Sequence, residues 1–240
     1  MSISSKIILI IGGGKVGLDA LNFCEKNNYI AIIMDNNPNC LVRPKVEIIE
    51  SKDYLQIINN IQEIKSALFI MKLDKVINLI KYINFEYLIP AVPIHLMAKL
   101  SMDYLSQKNL KIHPSSDIIQ IVKKKIDKKL IYNYNKEKGI IVASFMPIGQ
   151  TCAPNCIEPI KCPVTGIIKQ KPLFEKFNEL SKEKEFSSIH LISEQLEPNL
   201  GGISRKAIIN LFKFLDNVNQ HFIISTACKC HGIINSFEFK

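Results

Sequence analysis

No apolar run in the 240-residue chain approaches the ~18 residues that a membrane-spanning helix requires. The longest candidate, Tyr87–Met97, is interrupted by Pro90, Pro93 and His95. Met1–Lys6 leads into a strand-like run without a cleavage signal, so a cytoplasmic protein with no membrane span is expected. Tryptophan is absent, and nothing functional follows from that. No C-x2-C pair occurs, which removes the usual zinc knuckle. No aromatic residue is interleaved with the densest basic stretch, Lys123–Lys125 and Lys128–Lys129, so it lacks a stacking platform for single strands. That stretch reads as a solvated helix face or connector, and nucleic acid is not the expected partner despite a net charge of +9 from 31 basic and 22 acidic residues. Neither a catalytic triad nor paired carboxylates are visible. His95 and His113, each beside an expected strand end, read as ordinary polar groups.

What is present begins with alternation. Apolar runs at Lys6–Ile11, Tyr29–Met34, Val46–Ile49, Ala67–Met71, Tyr87–Ile89 and Leu110–Ile112 read as strands. Helical patterns at Val16–Lys26, Tyr54–Ile64, Lys75–Ile83 and Ile94–Ser106 separate them. Six strands joined by helices predict an α/β fold with one doubly wound parallel sheet over residues 1–115. Residues 116–138 read as a helical connector, capped by Ser115-Ser116-Asp117 and running towards Asn133. Residues 139–240 read as a smaller α+β domain rich in cysteine, with strands at Gly139–Phe145, Ile189–Ser193 and Phe222–Ser225 and helices at Pro172–Leu180 and Ser204–Leu215. The Pro- and Gly-rich segment 147–166 is too long for a simple connector.

Gly12, Gly14 and Gly17 fit G-x-G-x-x-G between the first strand and the first helix. One glycine allows the tight turn, one lets backbone approach a pyrophosphate, and one lets helix pack on strand. The helix start then offers unpaired N–H groups and a favourable dipole to phosphate. This assigns Gly12, Gly13, Gly14, Lys15, Val16 and Gly17 to a dinucleotide. Asp35 and Asn36 stand about 20 residues on, where an acid accepts from the ribose hydroxyls. A carboxylate there repels a 2′-phosphate, and no arginine follows, so NAD is expected rather than NADP. A Rossmann fold without a ligand, or with another adenine nucleotide, stays open. On these residues, "IIGGGKVG" and "IIMD", the stretch Lys6–Pro114 resembles the Rossmann NAD(P)-binding superfamily. It is similar to the nucleotide-binding domains of potassium-transport regulators and to the dehydrogenase domain of sirohaem synthesis. The likeness is confined to the shared fingerprint and brings no catalytic residue.

Seven cysteines in a cytosolic chain argue against structural disulfides. Cys24 falls in the first helix and reads as packing, and Cys40 as incidental. The others form Cys152-x3-Cys156-x5-Cys162-Pro163 and Cys228-x-Cys230-His231. Thiolates select zinc, copper(I) or iron–sulfur centres. An iron–sulfur cluster needs about four thiolates, though the spacing matches neither common ferredoxin pattern. Zinc and a set of metal-free reduced thiols are the alternatives. Gly201-Gly202 before Ser204 and Arg205 reads as a capped helix start. The whole chain also resembles uncharacterised prokaryotic proteins that join a Rossmann domain to a cysteine-rich half.

Together these features predict an NAD-binding redox protein with a cysteine-ligated iron–sulfur or zinc centre. The alternatives are a non-enzymatic regulator that senses nucleotide or redox state through a protein partner, and a zinc-stabilised dehydrogenase.

Overall fold

The computed structural model describes residues 6–50 and 64–240, with side chains undescribed at 48–50. It is a mixed α/β chain of two compact units. The first comprises residues 1–96 and 200–205; the second, and larger, comprises 97–199 and 206–240.

In the first unit, β1 (Ile7–Ile11) is apolar throughout and its last four residues are at most 1% exposed. Such a strand can sit only in the interior of a sheet. It pairs in parallel with β2 (Ile30–Asp35) on one side and β5 (Tyr87–Pro90) on the other. Beyond β2 come β4 (Ser66–Ile70) and then β3 (Ile48–Glu50), both parallel. The fourth strand therefore lies between the second and the third. Helix α1 (Lys15–Lys26) buries Gly17, Ala20, Leu21, Phe23 and Cys24, and α2 (Val76–Tyr82) buries Val76, Ile77, Leu79 and Ile80. Burying each Leu, Ile, Val or Phe among these stabilises by about 1.5–3 kcal/mol. The expected helix Tyr54–Ile64 falls almost wholly outside the described residues.

Two expectations for this sheet are corrected. It is not wholly parallel, because β11 (Leu200–Ser204) returns from late in the chain and pairs antiparallel with β5. Nor does it contain the strand expected near Leu110. That strand, β6 (Ile112–Pro114), pairs antiparallel with Phe237–Phe239 at the end of the C-terminal strand of the second unit, beyond the stretch of that strand paired with Ile140–Ser144. Helix α3 (Leu96–Gln107) spans the division, which falls at Leu96/Met97 rather than at residue 115.

The second unit has the strand order β7 (Ile131–Asn135), β8 (Ile140–Ser144), β13 (His231–Phe239), β12 (Phe222–Ala227), β9 (Ser187–Ile192). All neighbours are antiparallel except β12 and β9. One core cluster unites Ile119 and Val122 of α4 (Ser116–Lys125) and Phe177 of α5 (Leu173–Asn178) with Ile141, Ile223 and Ile234 of the sheet. Helix α6 (Arg205–Asn217) sets Phe214 edge-on to Phe222, ring centroids 5.9 Å apart. The strand β10 (Glu194–Glu197) falls within the residues of the second unit but is not part of that sheet.

The lysine-rich helix does not run to Asn133. It stops at Lys125, where Ile126 turns extended and the Asp127 side chain accepts from Lys129 N–H. Ile131–Asn135 is then free to pair with β8, so residues 116–138 belong to the second unit rather than forming a connector. A β-bulge between Ile131 and Asn133 leaves Tyr132 as the extra residue. No helix among the described residues is long and apolar enough to cross a membrane.

Candidate functional site

The glycine loop follows β1 directly. Gly12 has φ +112°, and a Cβ there would come within 2.4 Å of the Ala91 carbonyl oxygen. A Cβ on Gly17 would fall 2.0 Å from the Gly12 carbonyl oxygen. Both positions require glycine, one for conformation and one for space. Gly14 has nothing within 4 Å and precedes α1, whose first turn carries neither a side-chain cap nor an acid. Lys15 and Val16 are exposed beside it.

Asp35 ties the end of β2 to this loop. Its Oδ2 accepts from Gly13 N–H at 2.6 Å and its Oδ1 from Asn37 N–H at 2.7 Å. A carboxylate offers about four lone-pair sites, so two amides leave acceptor capacity over. Asn36 is exposed at the same turn. Cys40 is not incidental. It is 7% exposed, and a Cβ on Gly13 would meet its Sγ at 2.6 Å. Val42 N–H closes the segment by donating to the Gly13 carbonyl at 3.2 Å.

The second constellation gathers at one end of the other sheet, where β8 and β12 finish and β13 begins. Cys228, Cys230 and His231 occupy the turn from β12 into β13, closed by Cys228 N–H on the His231 carbonyl at 2.9 Å. Cys228 Sγ accepts from the backbone N–H groups of Cys230 at 3.4 Å and His231 at 3.3 Å. The loop carrying Cys152 and Cys156 is held by two side chains of its own unit. Gln195 donates to the Cys156 carbonyl at 2.7 Å, and Asn199 to the Pro154 carbonyl at 2.5 Å. This brings Cys152 Sγ to 3.5 Å from His231 Nε2, while His231 Nδ1 stands 3.8 Å from Cys228 Sγ.

Glu158, which spacing does not single out, completes the group. One ligand atom each from Glu158, Cys228 and His231 lie within 4.8 Å of one another. Glu158 has φ +54°, a conformation that costs a non-glycine residue about 1–2 kcal/mol. It accepts from Lys229 N–H at 3.3 Å. The only advance signal for Glu158 was its place two residues after Cys156. Lys169 was equally unmarked. It is 6% exposed, with Nζ donating to Cys230 Sγ at 3.0 Å.

Burial pushes the Cys228 thiol up to about 12, helped by its hydrogen bond to Glu158. Burial also raises Cys152, where the charges of Cys156, Cys230, Cys162 and Glu158 add to the effect. Cys230 is raised by burial, which outweighs Lys169. Cys162 goes the other way. Burial opposes ionisation there, but the Thr165 hydroxyl, the Thr165 and Val164 amides and the Lys169 charge hold the thiol below its usual range. Burial lowers His231, favouring the neutral imidazole that ligates metals. All seven cysteines are free thiols.

The remaining sequence candidates have structural partners. His113 Nε2 lies 2.9 Å from Glu238 Oε1. Lys123 sits 3.9 Å over the Tyr134 ring, and Lys125 pairs with Glu183 at 2.7 Å. Arg205 opens α6 and lies 5.9 Å from the Phe85 ring centroid.

Residues 7–96 match a family model described as "Uncharacterized protein, N-terminal domain". The chain is also similar to an "Uncharacterized protein" of Archaeoglobus fulgidus, 28% identical over 235 residues that cover 96% of this chain and 98% of the relative. No solved structure matches. Residues 96–240, more than half of the chain, match the partner model, and the chain belongs to the family it describes as "Uncharacterized protein, C-terminal domain".

Proposed function

We propose that this protein is an NAD-binding metalloprotein whose larger unit holds one transition-metal ion on Cys228, His231 and Glu158. The observation that carries the metal reading is the convergence of Cys152 and Cys228 on the two nitrogens of His231, at 3.5 and 3.8 Å. Sulfur and nitrogen ligands at 2.3 and 2.0–2.1 Å on a tetrahedral ion stand about 3.6 Å apart, close to the 3.8 Å of the Cys228–His231 pair. Two N–H···S bonds to Cys228 oppose the burial that keeps its thiol protonated and would stabilise the thiolate once an ion displaced the proton, and Cys152 is placed to hold the far imidazole nitrogen, as outer partners of ligating histidines do. Three protein ligands leave a fourth position open, the arrangement of catalytic rather than structural zinc. When bound there, such an ion would supply Lewis-acid polarisation or an activated water.

A specific observation also favours an iron–sulfur cluster. Cys152 and Cys228 both lie against His231, and Cys230 N–H reaches Cys228 Sγ at 3.4 Å, so cysteines from both sequence groups adjoin one another. The NAD assignment is supported by Gly12, Gly17, the uncapped start of α1 and the spare acceptor capacity of Asp35. A doubly wound Rossmann arrangement of the first unit is part of the same reading.

Anaerobic purification followed by zinc, iron and sulfide analysis separates the options. Stoichiometric zinc without iron supports the single ion, and matched iron and sulfide with broad visible absorption supports the cluster. Neither metal sinks both. Turnover of NADH with an acceptor marks an enzyme, whereas unequal NAD and NADH affinities without turnover mark a regulator.

A further inference from the structure

A cavity of about 530 Å³ opens beside the Cys–His group, at the end of the sheet in the second unit. That volume suits one small molecule. Its walls include Tyr132, Val142, Met146, Thr226 and Ile233, and Cys152, Cys228 and His231 form one side. The chain carries 31 basic and 22 acidic side chains, yet among the described residues no Lys, Arg, Asp or Glu lines this space. An ion entering it would meet no countercharge among these walls. Its polar groups are neutral donors and acceptors such as Ser144, Thr226 and Gln150.

The bulge in β7 has a consequence here. Without the extra residue, a strand at this edge would alternate strictly between the two faces. The bulge interrupts that alternation between Ile131 and Asn133, and Tyr132, 42% exposed, becomes part of the cavity wall. Bulges commonly re-aim a side chain beside a functional site.

We infer that this cavity binds an uncharged, mainly apolar small molecule, which presents one neutral donor atom such as a carbonyl oxygen to the Cys–His–Glu site and packs its body against Tyr132 and Val142. The donor-atom part rests on the proposed metal ion; the ligand class rests on the walls alone. Tyr132 is the specificity-determining contact at the mouth.

The test uses the full chain, with and without zinc, titrated with the neutral fluorescent ketone prodan and with the anionic dye anilinonaphthalene sulfonate. Saturable prodan binding is expected, with the anionic dye at least about tenfold weaker. Val142→Trp fills the space and should weaken prodan by at least about tenfold, and Tyr132→Ala, at a half-exposed edge position, by several-fold. Thermal melts establish that both variants fold. Prodan affinity should rise when zinc is added. Equal or tighter binding of the anionic dye overturns the assignment, as does prodan binding that neither variant alters. Zinc uptake with no prodan binding overturns it while leaving the metal reading standing. Prodan binding that both variants weaken, in a chain that takes up no zinc, upholds the ligand class and refutes the metal reading and the donor-atom contact.

Discussion

Cys152 Sγ lies 3.5 Å from His231 Nε2 although 79 residues separate them in the chain. The contact joins a Pro-rich loop to the turn between β12 and β13, and gives the histidine a sulfur at each ring nitrogen. If His231 and Cys228 ligate the ion while Cys152 only orients the ring, their substitutions separate by size. His231→Gln and Cys228→Ser should weaken zinc binding by two orders of magnitude or more, roughly, and Cys152→Ser by about 10–100-fold. Cys24→Ala, buried in α1, should leave it unchanged. Competition against a chromophoric chelator measures all four, and equal affinities throughout would dismiss the site.

Metal binding should also appear as stability. A ligand at ~1,000 times its Kd stabilises the folded state by about 4 kcal/mol. Chelation is therefore expected to lower the melting temperature of the wild-type chain and to leave Cys228→Ser nearly unmoved. Coincident melts for wild type with zinc and with chelator would rule out a folded-state metal site.

The glycine loop makes a different prediction, because its glycines have different reasons to be there. A Cβ at position 17 overlaps the Gly12 carbonyl oxygen, which is backbone and cannot swing aside. Gly17→Ala should cost about 3 kcal/mol or more. Gly14 has open space and precedes an uncapped helix, so Gly14→Ser should be neutral or stabilising by a few tenths of a kcal/mol. The serine side chain would nonetheless stand where a pyrophosphate must approach backbone. NADH titration of a stable Gly14→Ser chain should show at least about tenfold weaker binding. Unchanged affinity would remove the dinucleotide from this loop.

Legibility in the sequence followed local pattern. β1 and α1 were readable because an apolar run, glycines and an amphipathic helix succeed one another without outside help. β13 was missed because Asn235 and Ser236 interrupt its apolar character. Both are buried at the strand's centre, where Ser236 Oγ donates to the Ser115 carbonyl at 2.6 Å. β11 was missed because Gly201 and Gly202 read as a helix approach, whereas the strand is fixed by β5, more than a hundred residues earlier. At the site, the cysteines advertised themselves by residue type. Glu158 and Lys169 did not, since a carboxylate or an ammonium becomes informative only once its partner, about 60–70 residues away, is known to be a thiol.

Asp35 tests how much of the loop is built by its own strand rather than by a ligand. Its two oxygens each accept a backbone amide, at 2.6 and 2.7 Å. Asp35→Asn keeps one acceptor and turns an amide donor towards the other N–H. Leaving that N–H unpaired should cost about 1–3 kcal/mol in the absence of any nucleotide. Urea unfolding without NAD reads this directly, and an unchanged midpoint would mean that the carboxylate has no structural role.

His190 supplies the pH prediction. It faces Ser225 across β9 and β12 in register, with Nδ1 2.7 Å from the hydroxyl oxygen, and burial lowers its pKa to about 4 from an ordinary 6.5. Nε2 is buried and has no hydrogen-bond partner, so there is no acceptor to stabilise a second proton. Between pH 6.5 and 4 the unfolded chain takes up a proton that the folded chain refuses. Stability from this group is therefore complete above about pH 6.5 and is lost as the pH falls towards 4, by up to roughly 3 kcal/mol. His190→Gln keeps a polar partner for Ser225 but cannot titrate. Denaturant midpoints measured across this range should fall less steeply for the variant than for wild type. Parallel profiles would mean that His190 protonates in the folded state without penalty, and that the space around Nε2 admits a partner such as water.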